Sequence, residues 1–317
     1  MTRRRPAINY QLKPINEFFQ QLINGLALGA IYGLIALGYT MVYGVLRFIN
    51  FAHGDVFMLG AFAGYFLAPL VGRILPAQSY ASGILVLVLA MAVCAVIGML
   101  IEILAYRPLR KRPKLTVLIT AIGVSLFIEY TCQHDKVFGA APRKFPDLIP
   151  ITTWHLGSVV ISSTQVIVFV TTILLLLALR FIVQKTRVGT AMRAVSFNEQ
   201  AAALMGVNIN SIISFTFGLG SALAAAGGIL FAMNYASIDP LMGVQTGLKA
   251  FVAAVFGGIG NLPGAALGGL LLGIIETFAG GIPGLSNYRD GIAFAILIGV
   301  LIFRPAGLLG KVQTEKV

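Results

Sequence analysis

The stretch SGILVLVLAMAVCAVIGMLI, residues 82–101, decides the fold class of this protein. It contains no charged residue and consists almost entirely of apolar side chains. An α-helix rises about 1.5 Å per residue, so a run of about 20 apolar residues crosses a hydrocarbon layer of about 30 Å. The stretch therefore predicts a membrane-spanning helix.

The composition of the whole chain supports the same environment. Of 317 residues, 58% are hydrophobic and 11% are charged, and the mean hydropathy is +0.90. Soluble domains have about 25% charged residues, so too few polar side chains are present to cover a water-exposed surface. The two cysteines are too few for a disulfide scaffold, and the net charge of +12 lacks the solvated surface of a nucleic-acid-binding protein.

Further apolar runs follow along the chain. They lie at 56–71, 115–128, 166–179, 212–235, 251–275 and 291–303. The region 18–50 is too long for one crossing and barely long enough for two short ones; the positive charges favour two short crossings, and one crossing is the alternative. We therefore expect an all-α polytopic membrane bundle of about 8 to 10 transmembrane helices, with about ten crossings the preferred number.

Basic residues indicate the orientation of these crossings. Short connections rich in Lys and Arg stay in the cytosol. This rule places the segments 107–114 and 185–211 in the cytosol and the segment 134–163 outside. Two crossings within 18–50 also keep Arg3, Arg4, Arg5 and Lys13 inside, so we expect both termini to be cytosolic and most of the net positive charge to lie on that side.

The domain organisation that follows is simple. Residues 1–17 form a basic cytosolic tail, residues 18–304 a single transmembrane domain, and residues 305–317 a cytosolic C-terminal tail. Residues 1–14 lack an apolar core of signal-peptide length, so we expect a basic anchor and not a cleaved leader.

Glycine spacing predicts how the helices pack. Gly25, Gly29 and Gly33 recur every four residues, as do other glycine pairs later in the chain. Small residues on one face let helix backbones approach closely in lipid, so packing is the preferred role. The cluster GGIGNLPG, residues 257–264, instead predicts a helix break at a membrane face or inside the membrane.

Motifs for catalysis or tightly bound groups are missing from the sequence. The three histidines are far apart, and no HExxH, GxSxG or GxxxxGK[ST] motif occurs. We therefore expect no catalytic residues, no cofactor, no metal site and no nucleotide hydrolysis by this chain alone.

The most informative polar stretch is KTRVGTAMRAVSFNEQAAALMGVNINS, residues 185–211. It predicts two short helices, at about 190–195 and 199–205. Asn198 suits the N-cap of the second helix, Glu199 the first turn, and Gly206 the C-cap. Gly189 permits a sharp turn after Arg187. Such a compact body suits contact with a cytosolic partner, although an ordered loop without a partner is the simpler alternative.

Ionisable residues within membrane spans are functional candidates, because each costs about 3 kcal/mol to insert. We expect Glu102 to pair with the basic segment beside Arg107, and Glu129 to reach water. Lys249 and Glu276 form either a buried pair or part of a vestibule. The last group is Asn50, His53 and Asp55, which open a span on the cytosolic side; capping of that helix is the preferred role and lining a gate is the alternative.

Several motifs carry a resemblance to one protein family. They are GYTMVYGV (38–45), INFAHGD (49–55), RP (107–108), RA (193–194), GVN (206–208), KAF (249–251), GGIG (257–260) and PAGLLG (305–310). Together they resemble the LivH-type permease of bacterial branched-chain amino-acid ABC importers. The similarity runs from about Phe18 to the end of the chain, and the first motif is highly specific to that family.

The resemblance implies a function and a set of partners. It implies a permease subunit in the bacterial inner membrane, of the vitamin-importer and ribose-importer type, which passes Leu, Ile and Val from a periplasmic binding protein into the cytosol. A second homologous permease would complete a heterodimer in the lipid bilayer, and two cytosolic ATPase subunits would hydrolyse ATP, so this chain itself is not an enzyme. No nucleic acid is involved.

The resemblance also implies roles for particular residues. The 185–211 loop is similar to the EAA loop of ABC permeases, although the spacing from Glu199 to Gly206 is one residue longer. The residues expected to couple to the ATPase are Arg187, Gly189, Arg193, Asn198, Glu199 and Gly206. Those expected on the translocation path or its gate are Asn50, His53, Asp55, Lys249 and Glu276.

Two other functions stay open from the sequence. Within the same class, the substrate is alternatively urea, a short amide or a sugar. From another class, an ion-coupled secondary transporter would use Glu276, Lys249 and Asp55 as an ion or proton relay. The compact 185–211 loop favours the ATPase-driven importer, because a stand-alone carrier does not need it.

Overall fold

The computed structural model describes residues 13–282, 284 and 286–310, and these form a helical bundle. The helices are α1 (Lys13–Leu46), α2 (His53–Val71), α3 (Tyr80–Ile101), α4 (Lys114–Gln133), α5 (Ser163–Lys185), α6 (Arg187–Phe197), α7 (Glu199–Leu204), α8 (Ile209–Tyr235), α9 (Met242–Gly257), α10 (Leu262–Gly281) and α11 (Arg289–Phe303). Four short strands are β1 (Arg143–Lys144), β2 (Thr153–Leu156), β3 (Val159–Ser162) and β4 (Ser237–Ile238). The predicted all-α class is confirmed.

Eight of the described helices are long and apolar enough to cross a membrane, and α9 is a shorter apolar helix. The helices α1 and α8 are mostly enclosed by protein, whereas α4, α5 and α11 are mostly uncovered. The uncovered surface is apolar, with exposed side chains such as Phe127, Leu174 and Ile302. A ring of apolar helices around a buried pair is the arrangement expected of a multi-pass membrane protein.

The prediction of two short crossings within 18–50 is wrong. A single helix, α1, runs for 34 residues, which is a length of about 50 Å at 1.5 Å per residue. Its glycines do not break it, because they lie against α10. A Cβ on Gly29 would lie 2.7 Å from the Cα of Leu270, and one on Gly273 would lie 2.2 Å from the N of Gly29. The predicted packing role of these glycines is therefore confirmed.

The bundle has two distinct ends. We call the end with the β2–β3 hairpin the hairpin face, and the end with α6 and α7 the loop face. Gln20, near the start of α1, exchanges two hydrogen bonds with the backbone of Val160 in β3, at 2.8 and 3.0 Å. Arg47, just after α1, donates to the carbonyl of Ser196 in α6 at 3.4 Å. The helix α1 thus joins the two faces in one crossing.

The ends of the described chain, residues 13 and 310, consequently lie at opposite faces, whereas we expected both termini on the cytosolic side. The segment 304–310 is at the loop face, where Leu308 and Leu309 donate backbone hydrogen bonds to Phe256 and Gly257 at 2.9 and 3.0 Å. The predicted tail at 1–17 overlaps the start of α1, which begins at Lys13. Residues 1–12 and 311–317 of the two predicted tails lie outside the described residues.

The glycine-rich break at 257–264 lies at the loop face, between α9 and α10. Gly258 and Gly260 have φ angles of 107° and 90°, a region that favours glycine. Asn261 caps α10 by accepting from the N–H of Gly264 at 3.3 Å, and its side-chain amide donates to the carbonyl of Leu309 at 2.7 Å. The segment 304–310 thereby covers the broken backbone.

Candidate functional site

The 185–211 loop folds into two capped helices, as predicted. The side chain of Asn198 accepts a hydrogen bond from the N–H of Ala201 at 2.9 Å, which satisfies a donor at the start of α7. At the other end, the N–H groups of Gly206 and Val207 donate to the carbonyls of Ala203 and Ala202 at 3.0 and 3.1 Å. This pair of bonds is a Schellman motif, and Gly206 supplies the required positive φ of 81°.

Gly189 is needed for a different reason from the predicted sharp turn. It lies in the first turn of α6, and the extended residue Thr186 makes the turn and caps the helix, accepting from the N–H of Gly189 at 3.1 Å. A Cβ on Gly189 would lie 2.2 Å from the carbonyl oxygen of Ile182. The glycine therefore lets α6 pack directly against the end of α5.

Side chains also tie the loop to its neighbours. Arg193 donates to the carbonyl of Val183 at the end of α5 and, at 3.3 Å, to the hydroxyl of Thr190. Together with the bond from Arg47 to Ser196, this contact anchors α6 to both α5 and α1. Arg187 and Glu199, by contrast, are exposed and have no side-chain hydrogen bond or ion pair within the described part of the chain.

Three large apolar side chains project from this loop, and sequence reasoning missed them. Phe197 is 90% exposed, Leu204 is 89% exposed and Met205 is 84% exposed. The sequence does indicate them, because they are large apolar residues within an otherwise basic and polar segment. Large apolar side chains left open beside exposed charges are typical of a surface that binds another protein.

Glu102 pairs with the basic segment, as predicted, and forms a larger cluster than expected. Its carboxylate, which is fully buried, forms ion pairs with Arg107 at 2.8 Å and with Arg110. The hydroxyl of Ser214 lies 2.6 Å from its Oε2, and Arg110 donates to the side chain of Asn210 at 3.0 Å. Because Asn210 and Ser214 are in the first turns of α8, the cluster joins the end of α3 to the helix that directly follows the loop.

His53 lies deeper in the bundle than the cytosolic edge that the sequence predicted for Asn50, His53 and Asp55. A ring nitrogen of His53, Nε2, lies 3.2 Å from the carbonyl oxygen of Ile35, which is in the middle of α1. Ile35 precedes the end of α1 by about three turns, or about 16 Å. The helix α2 thus begins inside the bundle, and all three side chains are buried.

Capping of α2 by these side chains, the preferred prediction, is not observed. The N-cap is Ala52, which makes no side-chain cap hydrogen bond. Asn50 instead accepts from the hydroxyl of Tyr106 at 2.6 Å.

Asp55 has a second carboxylate nearby. Its Oδ2 lies 2.5 Å from the hydroxyl oxygen of Ser125 in α4, and the same hydroxyl lies 3.3 Å from Oε1 of Glu129. A hydroxyl has one proton to donate, so it serves one of these carboxylates at a time. Glu129 is half-buried, and Ser125 links it to α2. The prediction that Glu129 simply reaches water did not include this contact.

Lys249 and Glu276 form a buried pair near the hairpin face. The Nζ of Lys249 lies 2.7 Å from Oε1 of Glu276 and 2.7 Å from Oδ1 of Asp290. The other oxygen of Glu276 accepts from the hydroxyl of Tyr32 at 2.8 Å. This network joins α1, α9, α10 and the first turn of α11, so each buried charge has a partner, as burial of charge requires.

The same residues also line a vestibule, the other role left open by the sequence. A cavity of about 600 Å³ lies above the pair, lined by residues of α1, α5, α8, α9 and α10 and by Arg289. Within the described residues, no hydrogen bond or ion pair joins this pair to Asn50, His53 or Asp55. The sequence-predicted path residues thus fall into two separate clusters.

These features define a class of protein. A bundle of apolar helices with buried charges, a polar cavity at one face and a compact two-helix body at the other is typical of a membrane transport protein. The comparisons with known sequences agree. The family described as "Branched-chain amino acid transport system / permease component" matches residues 21–301, and the chain belongs to this family.

Individual relatives match over nearly the whole length. The chain is 41% identical over 312 residues to the high-affinity branched-chain amino acid transport system permease protein BraD of Pseudomonas aeruginosa, covering 96% of this chain and 99% of BraD. It is 38% identical to LivH of Escherichia coli K12, covering 95% of this chain and 98% of LivH. LivH of Salmonella typhimurium is also 38% identical, with 95% and 98% covered.

Proposed function

We propose that this chain is the permease subunit of an ATP-binding-cassette importer that passes branched-chain amino acids into the cytosol. The observation that carries the proposal is the near full-length similarity to BraD and LivH, whose names state that transport activity. The multi-pass helical fold and the family membership place the chain in the membrane as one component of a transport system.

The 185–211 loop is the proposed contact with a cytosolic ATPase. Phe197, Leu204 and Met205 supply an apolar surface beside the exposed charges of Arg187 and Glu199. Four transmembrane helices receive any movement of this loop: α5 and α8 by direct continuation, α1 through Arg47, and α3 through the Glu102 cluster. ATP-driven closure of two ATPase subunits would move these helices together, provided that nucleotide binds the two states with different affinity.

Charge supports an orientation with the loop face in the cytosol. Most basic connections of the described chain are at that face, including Arg47, the segment 107–114, Lys185, Arg187 and Arg193. The positive-inside rule favours this side for short basic connections. In this orientation the start of α1 faces the periplasm, and the described part of the chain crosses the membrane an odd number of times.

The hairpin face is then the proposed docking surface for a periplasmic binding protein. Trp154, the single tryptophan, is 47% exposed on β2, and Ile151 and Leu156 beside it are 59% and 65% exposed. Selection of the substrate would rest mainly with that protein. A second homologous permease is the proposed partner within the membrane, packed on one of the uncovered apolar helices.

The two buried clusters are the proposed moving parts of the path. Lys249 and Glu276 would close it near the hairpin face, and Asn50, His53 and Asp55 would line its central part. Ion pairs that join four helices have alternative partners in another helix arrangement, which suits a gate.

Reconstitution tests the proposal. The complex purified with its co-expressed ATPase subunits is placed in liposomes with ATP inside and the loaded binding protein outside. We expect ATP-dependent accumulation of leucine, isoleucine and valine. Uptake of urea or a sugar in their place would correct the substrate, and ion-driven uptake by this chain alone would overturn the importer assignment.

A further inference from the structure

We propose that the cavity at the hairpin face binds the zwitterion of an α-amino acid within this single chain. The proposal rests on the importer function above and adds a site to it. It concerns the region between α1, α8, α9 and α10, lined among others by Gln21, Asn234, Asp239, Gln245 and Arg289.

The size of the cavity suits a small ligand. Its volume is about 600 Å³, within the range of about 300 to 1,000 Å³ that is common for small-molecule sites. Its lining includes the exposed residue Ser237 of β4 and Gln165 in the first turn of α5, and both belong to the hairpin-face end of the bundle. A solute arriving from that side reaches it directly.

Several polar side chains that line the cavity have free hydrogen-bonding groups for a ligand. The side chains of Gln21, Asn234 and Gln245 make no hydrogen bond to other described residues, although all three line the cavity. Gln245 is exposed and Gln21 and Asn234 are half-buried, so their amide groups are free to bond to water or to a polar solute. The cavity is therefore hydrated and able to exchange water for solute.

The lining of the cavity includes two opposite charges, Asp239 and Arg289, which suit the ammonium and carboxylate groups of an amino acid. The side chain of Asp239 accepts from the N–H of Leu241 at 2.9 Å and has no ion-pair partner among the described residues. Arg289, with its side chain 58% exposed, lies 3.9 Å from Glu276 and 3.8 Å from Asp290, beyond hydrogen-bond distance. We assign the ligand's ammonium group to Asp239 and its carboxylate to Arg289, whose guanidinium suits carboxylate recognition.

The floor of the cavity explains why a neutral ligand is favoured. Lys249 and Arg289 both lie within 4.0 Å of the carboxylates of Glu276 and Asp290, so two cations face two anions and this group has no net charge. Leu28 and Phe231 line the same cavity and provide apolar contact for a ligand side chain. Below, the close contact of Gly29 with Gly273 seals α1 against α10. The pair Lys249 and Glu276 lies on the hairpin-face side of this contact.

The test uses thiol labelling in the assembled importer, purified with its ATPase subunits and kept free of nucleotide and of the binding protein. The native thiols of Cys94 and Cys132 are buried, so a membrane-impermeant maleimide reports on an introduced thiol. In Gln245→Cys, saturating leucine should slow labelling at least threefold. The matched control Ser158→Cys, at the tip of the hairpin outside the cavity, should label at the same rate with and without leucine.

Ligand analogues and charge variants identify the contacts. Leucinamide lacks the carboxylate and isocaproate lacks the ammonium group, so each should protect Gln245→Cys at least tenfold less effectively than leucine. Adding Arg289→Gln or Asp239→Asn should raise the leucine concentration needed for protection at least tenfold, whereas the exposed controls Arg73→Gln and Asp135→Asn should leave it unchanged.

Failure of this site is distinguishable from failure of the importer function. If the unmodified complex transports leucine from the binding protein but leucine never protects Gln245→Cys, the site is refuted and the importer function stands. Equal protection by leucine, leucinamide and isocaproate would also refute it. A complex that binds leucine in the cavity without ATP-dependent uptake would instead overturn the proposed function.

Discussion

The hydroxyl of Ser214 lies 2.6 Å from the buried carboxylate of Glu102, although the two residues are 112 positions apart in the chain. Ser214 is in the second turn of α8, which begins at Ile209 within the last residues of the 185–211 loop, and Glu102 follows the last residue of α3. This contact joins α8, the helix that continues the 185–211 loop, to the end of α3.

Glu102→Gln should weaken both stability and coupling. The change removes the charge shared by Arg107 and Arg110, and breaking a buried ion pair costs about 3 kcal/mol. We expect a lower thermal unfolding midpoint in detergent and a smaller ratio of substrate-stimulated to basal ATPase activity. Ser214→Ala removes one hydrogen bond to a charged group, about 1.5 kcal/mol, and should lower the ratio with a smaller loss of stability. A normal ratio in both variants would show that the cluster is only structural.

The apolar residues of the loop should be needed for ATPase association. Replacing Phe197, Leu204 or Met205 by Ser removes apolar area at the proposed interface, where the loss of one large side chain reduces affinity about tenfold or more. Co-purification of the ATPase subunits measures the effect. Leu156→Ser is the matched control, because Leu156 is also an exposed apolar residue but lies at the hairpin face. Equal loss in the control would argue against a specific interface.

The cap of α7 should control the order of the loop. Asn198→Ala removes the bond to the N–H of Ala201, at a cost of about 1 kcal/mol. We expect faster amide hydrogen exchange in residues 199–206 and reduced coupling. Gln200→Ala, at an exposed neighbour in the same helix, should exchange at the original rate. Unchanged exchange in Asn198→Ala would mean that contacts with other helices hold α7 without the cap.

The contact between α1 and α10 should not tolerate a residue larger than glycine at position 273. In Gly273→Val the first added carbon would lie 2.2 Å from the backbone of Gly29, so the helices must separate. The amount of monodisperse protein after extraction should fall several-fold. Gly123→Val is the control, since no atom lies within 4 Å of a Cβ built there. Similar yields for the two variants would contradict the close contact.

The single crossing of α1 makes a prediction about sidedness. In intact cells, an impermeant maleimide should label Glu17→Cys from outside, whereas Gln200→Cys should react only after the membrane is opened. Both positions are exposed and at opposite faces of the bundle. Labelling of both positions from the same side would contradict the single crossing of α1 and would support two crossings within residues 18–50.

Local features of the sequence were sufficient for a large part of the structure. Apolar runs of membrane-spanning length predicted most crossings, and Asn198, Gly206 and the 257–264 cluster predicted the loop helices and the helix break. Each of these signals depends on residues close together in the chain. The family was likewise recognisable from motifs that the full-length comparisons then supported.

Tertiary structure decided what depends on distant partners. Length and charge alone favoured two crossings for residues 18–50, but the glycines of α1 pack against α10 and keep one long helix intact. The depth of His53, the link from Ser125 to Asp55 and the joining of Glu102 to Ser214 each involve another helix. The cavity between Asp239 and Arg289 likewise exists only when several helices assemble. The sequence by itself determined the membrane class and the local helices, because hydrophobic length and helix capping depend on neighbouring residues. The tertiary structure determined which charged residues and glycines contact one another. In lipid, these pairings depend on packing and hydrogen bonds between helices.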